Sequence, residues 1–305
     1  MGKNGQSSTA GPTPTPPPPI RELVFRHTAG SPPGLELVEL AGLAERALRH
    51  GNDPYAPLRP AFHQIVAVRS GRVTVSVDFT TYEPAAGQWL WIRPGQVQRW
   101  SPDLPEADGV VVAFPPGFPD AATTAATVAD PPFARGPLAP AGPVADGLHK
   151  ALDHLRHEYD AAAQLPLEAH LRVLRHLLAV LVERLTAAYG AEPGRPVPSE
   201  TFRRFHAAVE RDFAVTRRVE DYAAALGYSR RTLTRAAEAA TGMSAKRYVD
   251  ERVVLEAKRE LAHGGLSVGA VAELLGFAGA GDFTKFFRQR TGTTPTAFRR
   301  TARGA

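Results

Sequence analysis

Asp221-Tyr-Ala-Ala-Ala-Leu-Gly-Tyr-Ser-Arg-Arg-Thr-Leu-Thr-Arg235, continued by Thr241-Gly-Met-Ser-Ala-Lys-Arg-Tyr248, returns later in the chain. The second copy reads Ala270-Val-Ala-Glu-Leu-Leu-Gly-Phe-Ala-Gly-Ala-Gly-Asp-Phe-Thr-Lys285, continued by Thr291-Gly-Thr-Thr-Pro-Thr-Ala-Phe298. Ala223, Leu226, Gly227 and Tyr228 align with Ala272, Leu275, Gly276 and Phe277. Leu233, Thr234 and Arg235 align with Phe283, Thr284 and Lys285, with one extra residue in the second turn. A fixed-period repeat outranks every other signal in a single sequence.

Each copy has the pattern helix, glycine-containing turn, helix, the layout that places a second helix in a DNA major groove. Val219, Tyr222, Ala223 and Leu226 share one face of the first helix. Gly227 and Gly276 follow the last apolar residue, where a left-handed cap suits glycine. Gly242 and Gly292 close the second helices, and Ser244 and Thr294 are N-cap candidates for the helices that follow. Between the copies, residues 244–262 contain no helix breaker. They predict a rod about 28 Å long at ~1.5 Å per residue, close to the ~34 Å between successive major grooves on one duplex face.

These features, with the Leu-Gly-Phe turn and the Thr291-to-Arg299 ending, resemble the DNA-binding domain of the AraC/XylS family of bacterial transcription regulators. The resemblance covers roughly residues 201–300. It implies double-stranded promoter DNA and RNA polymerase as partners, a homodimeric assembly, and activation as the usual mode. Within Ser229 to Ala240, the first recognition helix, the family pattern falls base-facing on Arg231, Thr234 and Arg235, with Arg230 on phosphate. Arginine can fork onto guanine O6 and N7. Arg218 stands where Ser267 stands in the second copy; it forgoes a side-chain cap and can reach phosphate. The second recognition helix begins Ala278-Gly-Ala-Gly-Asp282, poor in side chains able to touch bases. Thr284 and Lys285 remain as contacts, with Arg288 and Arg290 beside the backbone. The first helix is therefore expected to dictate sequence choice and the second to add affinity.

Charge follows this division. From Arg195 onward there are 20 Lys+Arg against 12 Asp+Glu, a balance of +8, whereas the preceding residues hold 16 against 19, a balance of −3. Clustered positive charge suits a surface that displaces counterions from phosphates. The chain has 305 residues and no cysteine, which excludes disulfides, thiolate metal sites and cysteine nucleophiles. No apolar run is long enough to span a membrane. The N-terminus lacks the core of a signal peptide, so the cytoplasm is the expected compartment.

Upstream, residues 1–19 form a Pro-rich tail expected to be disordered. Residues 20–119 are the expected barrel domain, and from about Leu35 to Phe114 the pattern is one of short strands: Val73, Val75 and Val77 alternate with polar neighbours, and Gly71, Gly87 and Pro94-Gly95 punctuate. Phe62 to Gly71 and Gly87 to Trp100 resemble the cupin-type sensor barrel of many AraC-like regulators. His63, Gln64, Trp89, Trp91, Arg93 and Trp100 are the effector-pocket candidates; the alternative is that the tryptophans fill the barrel core. Catalytic cupins hold metal with a His-x-His pair, which is absent here, and Gln98 stands where relatives commonly carry histidine. No metal, cofactor or enzymatic activity is expected, although a cupin enzyme fused to a DNA-binding domain, or a barrel that only dimerises, remain alternatives.

Residues 120–190 are expected to hold an irregular link to Val144 and then two helices, Ala145 to Asp160 and Leu167 to Tyr189. These resemble the family's coupling and dimerisation helices, or simply cover the barrel. Residues 191–198 are the expected linker and 199–305 the DNA-binding domain. The expected fold class is α+β multidomain: a cupin-like β-barrel with following helices, then an all-α domain with two helix-turn-helix motifs.

Overall fold

The computed structural model describes residues 20–128, 136–161, 165–190 and 198–303. The Pro-rich segment 1–19 and residues 191–197 of the expected linker lie outside them.

Among the described residues the strands form two sheets. β1 (Arg21–Leu23), β3 (Leu58–Pro60), β8 (Gln98–Trp100), β5 (Val75–Val77) and β6 (Thr80–Tyr82) lie in that order in one sheet. β2 (Glu36–Glu39), β9 (Asp108–Phe114), β4 (His63–Ser70) and β7 (Trp89–Ile92) form the other. All pairs are antiparallel except β1 with β3. Leu90, Ile92, Val66, Val68 and Val111 project between the sheets and pack with Val75 and Trp100. Their alternates along the same strands, Ile65, Ala67, Trp89, Trp91, Val110 and Val112, face the other way. Both faces of β4, β7 and β9 are thus buried, one inside the barrel and one under helices.

Those helices are α3 (Gly142–Asp160) and α4 (Leu167–Gly190). Leu148, Leu152 and Leu155 of α3 and Leu174, Leu178, Leu181 and Leu185 of α4 are fully or nearly buried with the outer face of the four-stranded sheet. Two helices depart from the sequence expectation. α1 (Leu40–Arg49) lies inside the segment read as strands; Leu40 is buried, Leu43 and Ala44 pack beside it at helical spacing, and Arg46 and Arg49 complement its C-terminal dipole. α2 (Ala121–Val128) replaces the start of the expected irregular link. Asp120 caps it, with Oδ1 accepting from Thr123 N–H at 2.7 Å. Its Ala/Thr composition concealed a short helix with an ordinary cap.

The remainder is helical: α5 (Glu200–Asp212), α6 (Val219–Leu226), α7 (Arg230–Thr241), α8 (Ala245–His263), α9 (Val268–Leu274), α10 (Ala280–Thr291) and α11 (Pro295–Ala302). α8 joins the barrel through ions. Arg259 forks onto Asp78 at 2.7 and 2.8 Å, while Arg59 of β3 reaches Glu256 at 2.8 Å and Glu260 at 3.2 Å. Asp78 and Phe79 turn from β5 to β6 with φ of 50° and 99°, unusual for side-chain-bearing residues. The turn is held on two sides: Asp78 accepts from Val97 N–H and Gln96 Nε2, and Phe79 stacks on His263 with centroids 5.7 Å apart.

Candidate nucleic-acid interface

α8 is shared by two small cores. Tyr248 and Val249 near its start pack with Phe202, Phe205, Tyr222 and Leu233. Val253, Ala257 and Leu261 further on pack with Val271, Phe283 and Phe287. Each core supports one helix-turn-helix, α6–α7 and α9–α10. Residues 231–239 and 281–289 show the same succession of exposed, half-buried and buried positions, so the repeat in sequence is a repeat in surface. Leu233 and Ala237, like Phe283 and Phe287, point inward; between them Arg235 and Lys285 are exposed, while Ala236 and Phe286 pack against the edges of the two cores.

Local chemistry sets the ends. Ser229, Ser244, Ser267 and Thr294 each accept a backbone N–H three residues on, capping α7, α8, α9 and α11. Gly276 has φ of +69°, and a Cβ there would lie 2.2 Å from the Ala214 carbonyl oxygen. That crowding reflects a tight seam. Arg217 Nη1 donates to the carbonyls of Leu275 (2.8 Å) and Gly276 (3.1 Å) and its guanidinium lies 3.8 Å from the Phe277 ring centroid. Asp250, fully buried in α8, binds Lys246 and, at 2.5 Å, Arg290 of α10. The two units are therefore fixed to one rod by specific contacts.

On α7, Arg230, Arg231, Thr234 and Arg235 line one shallow concavity with Glu238. Arg231 and Arg235 are exposed, and Thr234 is half-buried. Arg230 pairs with Glu220 of α6 at 2.9 Å, but both are exposed, a pair that costs little to exchange for phosphate. Arg218 is the uncapped N-cap residue of α6 and shares a second concavity with Arg230, Arg217 and Lys246. Ser229 is occupied by capping, accepting from Thr232 N–H at 3.1 Å. On α10, Lys285 and Arg288 are exposed and Thr284 half-buried. Its N-cap is Gly279, with no side-chain bond. Arg217 and Lys246 are not among the residues expected from sequence; the adjacent Arg217-Arg218 pair was the available signal.

The six barrel residues divide. Gln64 and Trp100 line a cavity of about 170 Å³ between the sheets; His63, Trp89, Trp91 and Arg93 do not. His63 stacks on Phe114 with centroids 4.9 Å apart and accepts from Trp91 Nε1 at 3.3 Å. Burial first, and Arg93 second, pull its pKa down to about 3, so the imidazole is neutral at physiological pH. Trp89 packs in the helical layer, its carbonyl accepting from Tyr189 Oη at 3.4 Å. The Arg93 guanidinium lies 4.8 Å from the Trp91 ring centroid. Period-two alternation explains the division: Gln64 points into the barrel, and its neighbour His63 points out.

Two family models match the chain in tandem. An AraC-like ligand binding domain matches residues 42–174, and a helix-turn-helix domain matches residues 222–301. The chain belongs to the AraC family. It is 39% identical over 80 residues to the HTH-type transcriptional regulator RipA of Corynebacterium glutamicum, a stretch covering 26% of this chain and 24% of that protein. Matching thus spans about a quarter of the curated relative's length. Among solved structures, it resembles the DNA-binding domain of AdpA in complex with a target DNA (29% identity, 35% of this chain and 96% of that one, TM-score 0.32). It also resembles ToxT from Vibrio cholerae (13% identity, 81% and 92%, TM-score 0.39). The sheet-rich N-terminal domain thus matches the ligand binding model and the helical C-terminal region the helix-turn-helix model. Among the described residues no helix is long and apolar enough to cross a membrane.

Proposed function

We propose that the protein is a sequence-specific regulator of transcription that binds promoter DNA through α7 and α10 and is modulated by a small organic effector in the barrel. The observation that carries this is the duplicated surface: two helices with matching outward faces, anchored to one α8, on the basic part of the chain. Arg231, Thr234 and Arg235 read base edges, and Arg230 and Arg218 hold phosphate. Thr284, Lys285 and Arg288 add affinity from the second groove. The 39% identity over 80 residues to a curated transcriptional regulator supports the same role.

The protein acts as a homodimer in the cytoplasm, contacts RNA polymerase, and is not an enzyme. His63, an effector-pocket candidate in the sequence, is engaged with Phe114 and Trp91. Selection of genomic fragments on the purified full chain, followed by titration across salt, tests the DNA-binding role. Affinity for a selected site that falls steeply with salt, and exceeds that for random duplex, is expected. Salt-independent or sequence-blind binding would count against it.

A further inference from the structure

The cavity between the two sheets has a distinctive chemistry. Its wall is largely apolar, with Leu43 of α1, Leu58 of β3, Phe62, Trp100 and Val111 contributing. Two of its polar atoms stand apart from the rest. Among the described residues, Asn52 Oδ1 and Gln98 Oε1 have no hydrogen-bond partner, in side chains only 6% and 3% exposed. Buried acceptors are ordinarily paired, and an unpaired one is a standing invitation to a donor.

The ions of the inner wall are already matched. Glu36, 2% exposed, is 3.3 Å from the Arg46 guanidinium and accepts from Ser31 Oγ at 2.9 Å, from Tyr159 Oη at 3.3 Å and from Thr28 N–H. Arg46 also donates to the Arg26 carbonyl at 2.8 Å. Arg21, Glu22, Arg26 and His50 stand at the solvent-exposed rim, where water and salt screen them. A charged ligand would leave water for an interior with no counter-ion to spare. As for size, a cavity of about 150 Å³ holds benzene, and this one is about 170 Å³.

We propose that this cavity takes a small uncharged molecule, a compact hydrocarbon ring of about ten heavy atoms or fewer carrying a hydroxyl or N–H donor for Asn52 and Gln98. This rests on the effector-sensing role proposed above. The cavity is also well placed to be felt by α8. Gln98 pairs in register with Leu58 and Val77; the next residues along those strands, Arg59 and Asp78, hold the ion pairs to Glu256 and Arg259. A molecule touching Gln98 and Leu58 sits one residue from both clasps.

Titrating the full chain with phenol, indole, toluene and benzoate, by tryptophan fluorescence and calorimetry, tests the ligand class. Phenol and indole should bind roughly ten-fold or more tighter than toluene and benzoate. Gln98→Leu should erase the preference for phenol over toluene, and Asn52→Ala should weaken it if the first variant does not fold. Toluene or benzoate matching phenol, or no probe binding, overturns the proposal. Phenol-selective binding that leaves DNA affinity unchanged supports the ligand class and removes the sensing role. Benzoate-selective binding that shifts DNA affinity keeps the sensing role and overturns the class.

Discussion

Replacing Glu256 with glutamine removes the anion around which three arginines gather. Its carboxylate lies 2.8 Å from Arg59 of the barrel and 3.1 and 3.0 Å from Arg252 and Arg259 of its own helix, with 9% of the side chain exposed. Burial alone would push its pKa up. Arg259, Arg252 and Arg59 override that and bring it to about 2 from an ordinary 4.5. At ~1.4 kcal/mol per pH unit of displacement, the ionised carboxylate contributes roughly 3 kcal/mol. The range for breaking a buried ion pair, about 3–5 kcal/mol, agrees. Because the folded pKa is depressed, this stabilisation is complete above about pH 4.5 and is lost as pH falls through about 2. Urea unfolding of the full chain at pH 7 should therefore show Glu256→Gln less stable by roughly 3 kcal/mol. Between pH 4.5 and 3 the wild type should lose stability that the variant has already lost. A loss below about 1 kcal/mol, with the acid slope unchanged in the variant, would refute the ion-hub reasoning.

Three further outcomes are expected. Arg235→Ala should relax base preference at its position by roughly 1–3 kcal/mol, whereas Lys285→Ala should weaken all sequences alike and lower the salt slope by about one, both read from titrations on matched and mismatched duplexes. Gly276→Ala should lower thermal stability more than Gly227→Ala; both have left-handed φ, worth about 1–2 kcal/mol, but only the former drives a methyl into the Ala214 carbonyl. Burial, opposed by Glu210 and reinforced by Arg93 and Arg252, lowers His206 to about 4, so the unfolded chain takes up its proton first as pH drops below about 6.5. Stability should fall by about 2 kcal/mol between pH 7 and 5 from this residue, and His206→Gln, whose amide can still hydrogen-bond Tyr248 Oη, should lose that component of the fall.

The helix-turn-helix pair was legible because its signals are local. Helical spacing of Tyr222, Ala223 and Leu226, the capping serines and the glycines after each helix all act within a few residues, and the repeat stated them twice. The barrel was legible as strands but not in phase. With β4 and β7 buried on both faces, the run Trp89-Leu-Trp-Ile92 carries no polar alternate to say which side is inside. Trp89 and Trp91 therefore went to the helical layer, and Trp100 to the cavity. α1 was hidden because its apolar residues merged with those of the flanking strands. The ion network was invisible for another reason: Arg259 and Asp78 lie 181 residues apart, and only folding brings them together.

Two readers held at fixed separation by α8 should demand fixed phase on DNA. Affinity for the selected site can be measured with 0, 5 and 10 base pairs inserted between its two contacted segments. Half a helical turn puts the segments on opposite faces, so the 5-base-pair insert should weaken binding about 100-fold; the 10-base-pair insert should not restore it, because the segments then lie a further ~34 Å apart. Unchanged affinity across the series would contradict a rigid double reader.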